Sequence, residues 1–150
     1  MRTEPSDMAP EHVLVPLDGS PLADDALVHA LDTFDCRVTV LNVVTPLDSS
    51  MSESGLLEPG EQRRESARER ADDLVARAEE RAAAADRSVE TAVETGDPAE
   101  TILDFAETND VDHIVMGGHG GERHELARRL LGTVATTVVT EAPVTVTVVR

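Results

Sequence analysis

The chain has no lysine, no tryptophan and no tyrosine, and its only aromatic rings are Phe34 and Phe105. Proteins that bind single strands stack bases on aromatic platforms, and nucleic-acid binders in general gather Lys and Arg on one face. Here 30 acidic residues stand against 13 basic ones, all arginine, for a formal net charge of −17. No nucleic-acid partner is expected of such a surface. A single cysteine, Cys36, excludes an intrachain disulfide and a cysteine metal cluster; this fits a reducing compartment, with the thiol expected to fill core. Long apolar runs are missing too. No stretch approaches the roughly 18 apolar residues of a membrane span, and the opening segment MRTEPSDMAP lacks the apolar region of a secretory signal. The expectation is a cytoplasmic protein with no membrane partner, residues 1–10 forming a flexible tail before one domain over 11–150.

So acidic a surface repels itself unless salt intervenes. Screening shortens the reach of that repulsion from about 10 Å at 0.1 M salt to about 3 Å at 1 M. Together with the absence of lysine, this points to a halophilic cytosol.

What is present is aliphatic. A chain of 150 residues, 40% of them hydrophobic and mostly Val, Leu and Ala, suits one core that buries roughly 70% of the unfolded surface. Apolar runs alternate with helical patterns, the signal of βα units joined into a mostly parallel sheet. Strands are expected at His12–Leu17 (HVLVPL), Arg37–Val44 (RVTVLNVV), Ser88–Glu94, Asp112–Met116 and a last segment from Val144 to Val149 in which Val and Thr alternate. That alternation predicts an edge or a half-wet face, and an inferred pairing with the same strand of a second subunit. Ser20 and Pro21 open a helix carrying Leu22, Ala26, Leu27, Ala30 and Leu31 on one stripe. The longest helix, Glu61–Asp86, shows a small-residue stripe of Ala67, Ala71, Leu74, Ala78, Ala82 and Ala85. Its charged faces hold Glu61/Arg64, Glu65/Arg68 and Asp73/Arg77 at pairing distance in sequence. Asp97-Pro98-Ala99-Glu100 is a helix start, followed by Ile102, Leu103, Phe105 and Ala106 facing inward. A final helix runs from about Thr133 to Glu141. Thr45–Gly60 has no period and reads as an exposed connection of the length seen in lids and interaction loops.

In an open parallel sheet, ligands bind beyond the carboxyl ends of the strands. That rule selects Pro16-Leu17-Asp18, Val43-Val44 and the run Met116 to Gly121, MGGHGG. Such a glycine run either wraps its N–H groups around an anion or serves as a tight strand exit. Further on, Gly132-Thr133 opens a helix, and a helix N-terminus is itself an anion site.

The whole arrangement resembles the universal stress protein family over nearly all of residues 12–149. The likeness is carried by HVLVPLDGSPLADDAL, VTVLNVV, ETGDPAETILDFAETNDVDHIVMGGHG and LLGTVATTVVTEAPVTVTVV. It implies a doubly wound five-stranded sheet of order 3-2-1-4-5 with helices on both faces, an adenine nucleotide alpha hydrolase-like fold, and a homodimer through Val144–Val149. It also implies ATP as ligand, with Mg²⁺ or Mn²⁺ held mainly by the phosphates. Gly117 and Gly120 then supply the first pair of glycines of the family's ATP motif, and Gly132-Thr133 the terminal pair. Pro16, Leu17, Asp18 and Val43 line the adenosine pocket, Met116-Gly117 lies against the ribose, and Gly118, His119, Gly121 and Val134 complete the nucleotide site. The chain departs from the motif in two ways: the loop from Gly120 to Gly132 is longer by two residues, and position 118 is Gly where Ser is usual.

No catalytic set emerges. Ser20 lacks the G-x-S-x-G context of a nucleophile and reads as a helix cap. His119 and His124 lack a third metal ligand in their local pattern, while His12, His29 and His113 read as structural or solvent-facing. Arg123, Arg128 and Arg129 either clamp phosphate or pair with Glu122 and Glu125. The resemblance thus implies a nucleotide-dependent regulatory or stress-survival module. Its alternative is a dimeric interaction protein of the same family that binds no nucleotide.

Overall fold

A computed structural model describes residues 9–45, 60–118 and 131–150, with residues 60–64 described by backbone alone. Residues 1–8 of the expected tail, most of the Thr45–Gly60 connection and the cluster Glu122 to Arg129 lie outside the described residues. The elements, in chain order, are β1 (His12–Pro16), α1 (Pro21–Thr33), β2 (Arg37–Val44), α2 (Gly60–Ala84), β3 (Glu90–Thr95), α3 (Pro98–Thr108), β4 (His113–Gly117), α4 (Thr133–Glu141) and β5 (Thr145–Val149). All strand pairings are parallel, in the order β3-β2-β1-β4-β5.

The solid apolar run of β1 reflects its central place. Val13, Leu14 and Val15 are fully buried because helices cover both faces of the sheet. On one face, α1 and α2 pack Ala26, Leu27, Ala30, Ala78 and Ala82 against Val13, Val15, Val38 and Val40. On the other, α3 and α4 pack Ile102, Ala106, Ala135 and Val138 against Leu14, Leu41 and Ile114. With aromatics nearly absent, close approach comes from the Ala stripe of α2, where Ala67, Ala71, Ala78 and Ala82 are buried and Leu74 is half-buried. The expected caps form. Ser20 accepts the Ala23 N–H at 3.3 Å and Asp97 the Glu100 N–H at 3.1 Å.

Several expectations need correcting. The third strand runs Glu90–Thr95, not Ser88–Glu94. The chain leaves α2 through Asp86 at φ 63, and Arg87 then anchors to the carbonyls of Leu31, Phe34 and Cys36 at 2.7–2.9 Å. That holds the next residues off the ladder until Glu90 meets Thr39. The same reversal exposes Ala85, expected on the buried stripe. Cys36 is half-buried at the margin of the core, and burial, then the nearby Asp112 carboxylate, push its thiol pKa up. Between described residues, Arg81 reaches Asp24 at 3.6 Å and Arg37 grips Glu90 at 2.9 Å. Neither Glu65/Arg68 nor Asp73/Arg77 closes, because an exposed pair worth a few tenths of a kcal/mol does not outweigh side-chain entropy.

The two buried histidines are structural. His12 donates from Nδ1 to the Asn109 carbonyl at 3.0 Å, and its Nε2 meets the Thr39 hydroxyl at 2.7 Å. His113 joins β4 to β5, its Nε2 lying 2.8 Å from the Thr147 hydroxyl and its ring 4.7 Å from that of Phe34. Burial pushes the His113 pKa below its usual value, against an upward pull from Asp112. The unfolded chain therefore takes up this proton near pH 6.5, before the folded protein does. Stability is expected to fall as pH drops from about 7 through that range. Urea titrations at successive pH values should show part of that slope lost in His113→Gln; an unchanged slope would mean that His113 titrates alike in both states.

Candidate functional site

The chain leaves β1 for α1 on one face of the sheet and leaves β4 for α4 on the other. Where the two connections part, a crevice must open beyond the strands' carboxyl ends. A cavity of about 420 Å³ lies there, within the range of small-ligand sites.

Three strand ends form its floor. Pro16 ends β1 and Leu17 and Asp18 follow it, Val43 and Val44 end β2 and Thr45 follows them, and Met116 and Gly117 end β4. Gly132, Thr133, Val134 and Ala135 close one side. The structure thus brings together Pro16, Leu17, Asp18, Val43, Met116, Gly117, Gly132, Thr133 and Val134 out of the expected set. Gly118 does not line the cavity. His119, Gly120 and Gly121 lie outside the described residues.

The two glycine turns meet through each other. The Gly132 N–H donates to the Gly118 carbonyl at 2.6 Å, and the Gly118 N–H donates to the Val149 carbonyl at 2.8 Å. Both N–H groups are therefore spent on the fold. The available donors lie one residue further on. Gly132 caps α4 without a side chain, and its carbonyl accepts the first helical bond, from the Thr136 N–H at 2.9 Å. The N–H groups of Thr133, Val134 and Ala135 consequently have no helical partner.

At the other end of the cavity, the sheet register frees one residue of main chain. The Leu41 carbonyl faces β1, accepting the Leu17 N–H at 2.8 Å, while the Val44 carbonyl faces β3 and accepts the Gly96 N–H at 3.0 Å. Strand residues alternate in the side to which their peptide groups point. Val43 therefore presents its N–H and C=O toward β1, which has already ended at Pro16.

Asp18 sits exposed at the rim. One carboxylate oxygen accepts the Ser20 N–H at 2.9 Å, an Asx turn that Gly19, at φ 88, makes possible. Asn42 secures the same turn by donating from Nδ2 to the Leu17 carbonyl at 2.8 Å. Sequence reasoning missed Asn42. Its signal was a polar side chain inside the apolar run RVTVLNVV, since a buried amide requires a partner. It also missed the wall supplied by Ala67, Arg70, Ala71 and Leu74 of α2 and by Pro98 and Ile102 of α3. Among the described residues, no three His, Cys, Asp or Glu side chains form a group able to hold a metal ion.

This sheet order, with its crevice at the switch point, defines an α/β protein of the adenine nucleotide alpha hydrolase-like fold. The chain belongs to the universal stress protein family, whose model matches residues 10–150. No curated protein matches the chain. Among solved structures, it is similar to universal stress protein UspA from Lactobacillus plantarum, at 27% identity over 93% of this chain and 97% of that one, with a TM-score of 0.77. Two more distant structures share the fold. A universal stress protein in complex with cAMP is 23% identical over 95% of this chain and 98% of that one, TM-score 0.67. A universal stress family protein from Arabidopsis thaliana with AMP bound is 20% identical over 93% and 91%, TM-score 0.66.

Proposed function

We propose that the protein binds an adenine nucleotide, ATP with Mg²⁺ or Mn²⁺, in this crevice, and works as a dimeric stress-response module regulated by that binding. The observation that carries the reading is that one cavity joins an unpaired strand peptide to an uncapped helix N-terminus. The Val43 N–H and C=O form an adjacent donor and acceptor, which matches the acceptor nitrogen and amino group on the edge of adenine. Asp18 keeps a carboxylate oxygen for a ribose hydroxyl, with Met116 and Gly117 on the sugar's other side. The three N–H groups of Thr133, Val134 and Ala135, with the partial positive charge of the helix start, suit phosphate. Two proteins of this fold carry adenine mononucleotides, cAMP in one and AMP in the other. Asp18 is the only carboxylate among the described cavity residues, so a divalent ion that offsets the phosphate charge would be held mainly by the phosphates. For the dimer, the support is that β5 is an outermost strand of the sheet. A cytosol of high salt accords with the net charge of −17.

Calorimetric titration of the folded protein with Mg-ATP in molar KCl is expected to show saturable binding at one site per chain. Absence of heat and of any thermal stabilisation by ATP would overturn the reading, and would favour the family's role as an interaction module that holds no nucleotide.

A further inference from the structure

A protein of net charge −17 that takes up a polyphosphate needs positive charge at the point of contact. Among the described residues lining the cavity, the ionisable side chains are Asp18 and Arg70 alone. Arg70 is the one arginine among the described residues that lines the cavity, and it differs from the arginines that tie this fold together. Arg37 is held by Glu90, Arg81 by Asp24, and Arg87 by three carbonyls. Arg70 has no hydrogen bond or ion pair with a described residue, although Asp73 lies one helical turn away. Its neighbours on the cavity wall, Ala67 and Ala71, end in methyl groups, so Arg70 is the long polar side chain of that wall. The wall belongs to α2, which packs on the face of the sheet opposite to α4. Arg70 and the first turn of α4, with its three N–H groups that have no helical partner, thus border one cavity from opposite sides.

We propose that Arg70 sets the preference of the crevice for phosphorylated over unphosphorylated adenine nucleosides. Its guanidinium engages phosphate oxygens from the side that the helix N-terminus does not reach. A planar fork of N–H donors matches two phosphate oxygens at once, and a side chain without a partner among the described residues breaks no ion pair with them to do so. This inference rests on the reading of the crevice as an adenine-nucleotide site.

The test is calorimetric titration of adenosine, AMP and Mg-ATP into the wild-type protein, Arg70→Ala and Arg70→Lys. Arg70→Ala is expected to weaken AMP and ATP by about tenfold, the equivalent of roughly 1.4 kcal/mol, while adenosine changes by less than about twofold. Arg70→Lys should recover part of the loss, since it restores the charge without the fork. Because Arg70 is exposed, thermal melts of both variants should overlay the wild type. Wild-type ATP affinity in Arg70→Ala overturns the proposal and leaves the nucleotide site standing. An equal loss for adenosine and ATP also overturns it, placing Arg70 on the base or sugar. If the wild-type protein binds neither adenosine nor ATP, the nucleotide site itself fails and this proposal falls with it.

Discussion

Gly117→Ala is expected to lose about 3 kcal/mol of stability, the upper end of the usual cost of overpacking a core. For a chain of this size that corresponds to a melting temperature lower by roughly 6–12 °C. A Cβ at Gly117 would stand 2.9 Å from both the carbonyl carbon and the Cβ of Leu22, and 3.0 Å from the Ala23 nitrogen. These atoms belong to the first turn of α1, which cannot easily retreat. Ser20 caps that turn, and the Asp18 carboxylate and Asn42 amide hold the approach to it. Gly118→Ala is the matched control. There the nearest atom is Val148 Cγ1 at 3.2 Å, a side-chain methyl that can give way, so a loss below about 1 kcal/mol is expected. Urea unfolding of both variants in molar KCl decides the matter. Equal losses would show that the approach of α1 to β4 is not what requires a glycine at 117. The expected result gives Gly117 a packing role in addition to its place on the cavity floor.

Much of this architecture was legible because local chemistry and global fold agree. The runs Val13-Leu14-Val15 and Ile114-Val115-Met116 are apolar throughout since both faces are covered, and Ser20-Pro21 and Asp97-Pro98 each combine a cap with a first-position proline. Boundaries were less legible where tertiary contacts decide them. Nothing in the segment Asp86-Arg87-Ser88 announces that Arg87 will reach three carbonyls across the structure and delay β3. In the candidate site, strand ends were readable because the carboxyl-end rule needs only element order. The α2 wall was not, because Arg70 reads as one more charged residue on a charged face until the helix is laid over the sheet. Gly118 and Gly132 bring two backbones together, the Gly132 N–H going to the Gly118 carbonyl and the Gly118 N–H to the Val149 carbonyl. The free donors are the ordinary N–H groups of Thr133, Val134 and Ala135, which become visible once the cap and first helical bond of α4 are known.

Those donors can be tested by a substitution whose effects on stability and on binding have opposite signs. Thr133 is exposed at the first position of α4, after a cap that offers no side chain. An aspartate there places negative charge at the positive end of the helix, which is stabilising by about 0.3–1 kcal/mol at low salt. Thr133→Asp should therefore melt at or slightly above the wild-type temperature. The same carboxylate would stand where the phosphates are proposed to dock. Two like charges about 4 Å apart repel by roughly 4 kcal/mol at an effective dielectric of 20, and salt removes part of this. About 2.7 kcal/mol surviving corresponds to a hundredfold weaker ATP affinity, with adenosine affinity nearly unchanged. Thr133→Asn, similar in size to Asp and neutral, should bind ATP within a few fold of the wild type. General unfolding cannot produce this pattern, because stability and affinity would then decline together. Wild-type ATP affinity in Thr133→Asp would mean that the phosphates lie away from the start of α4.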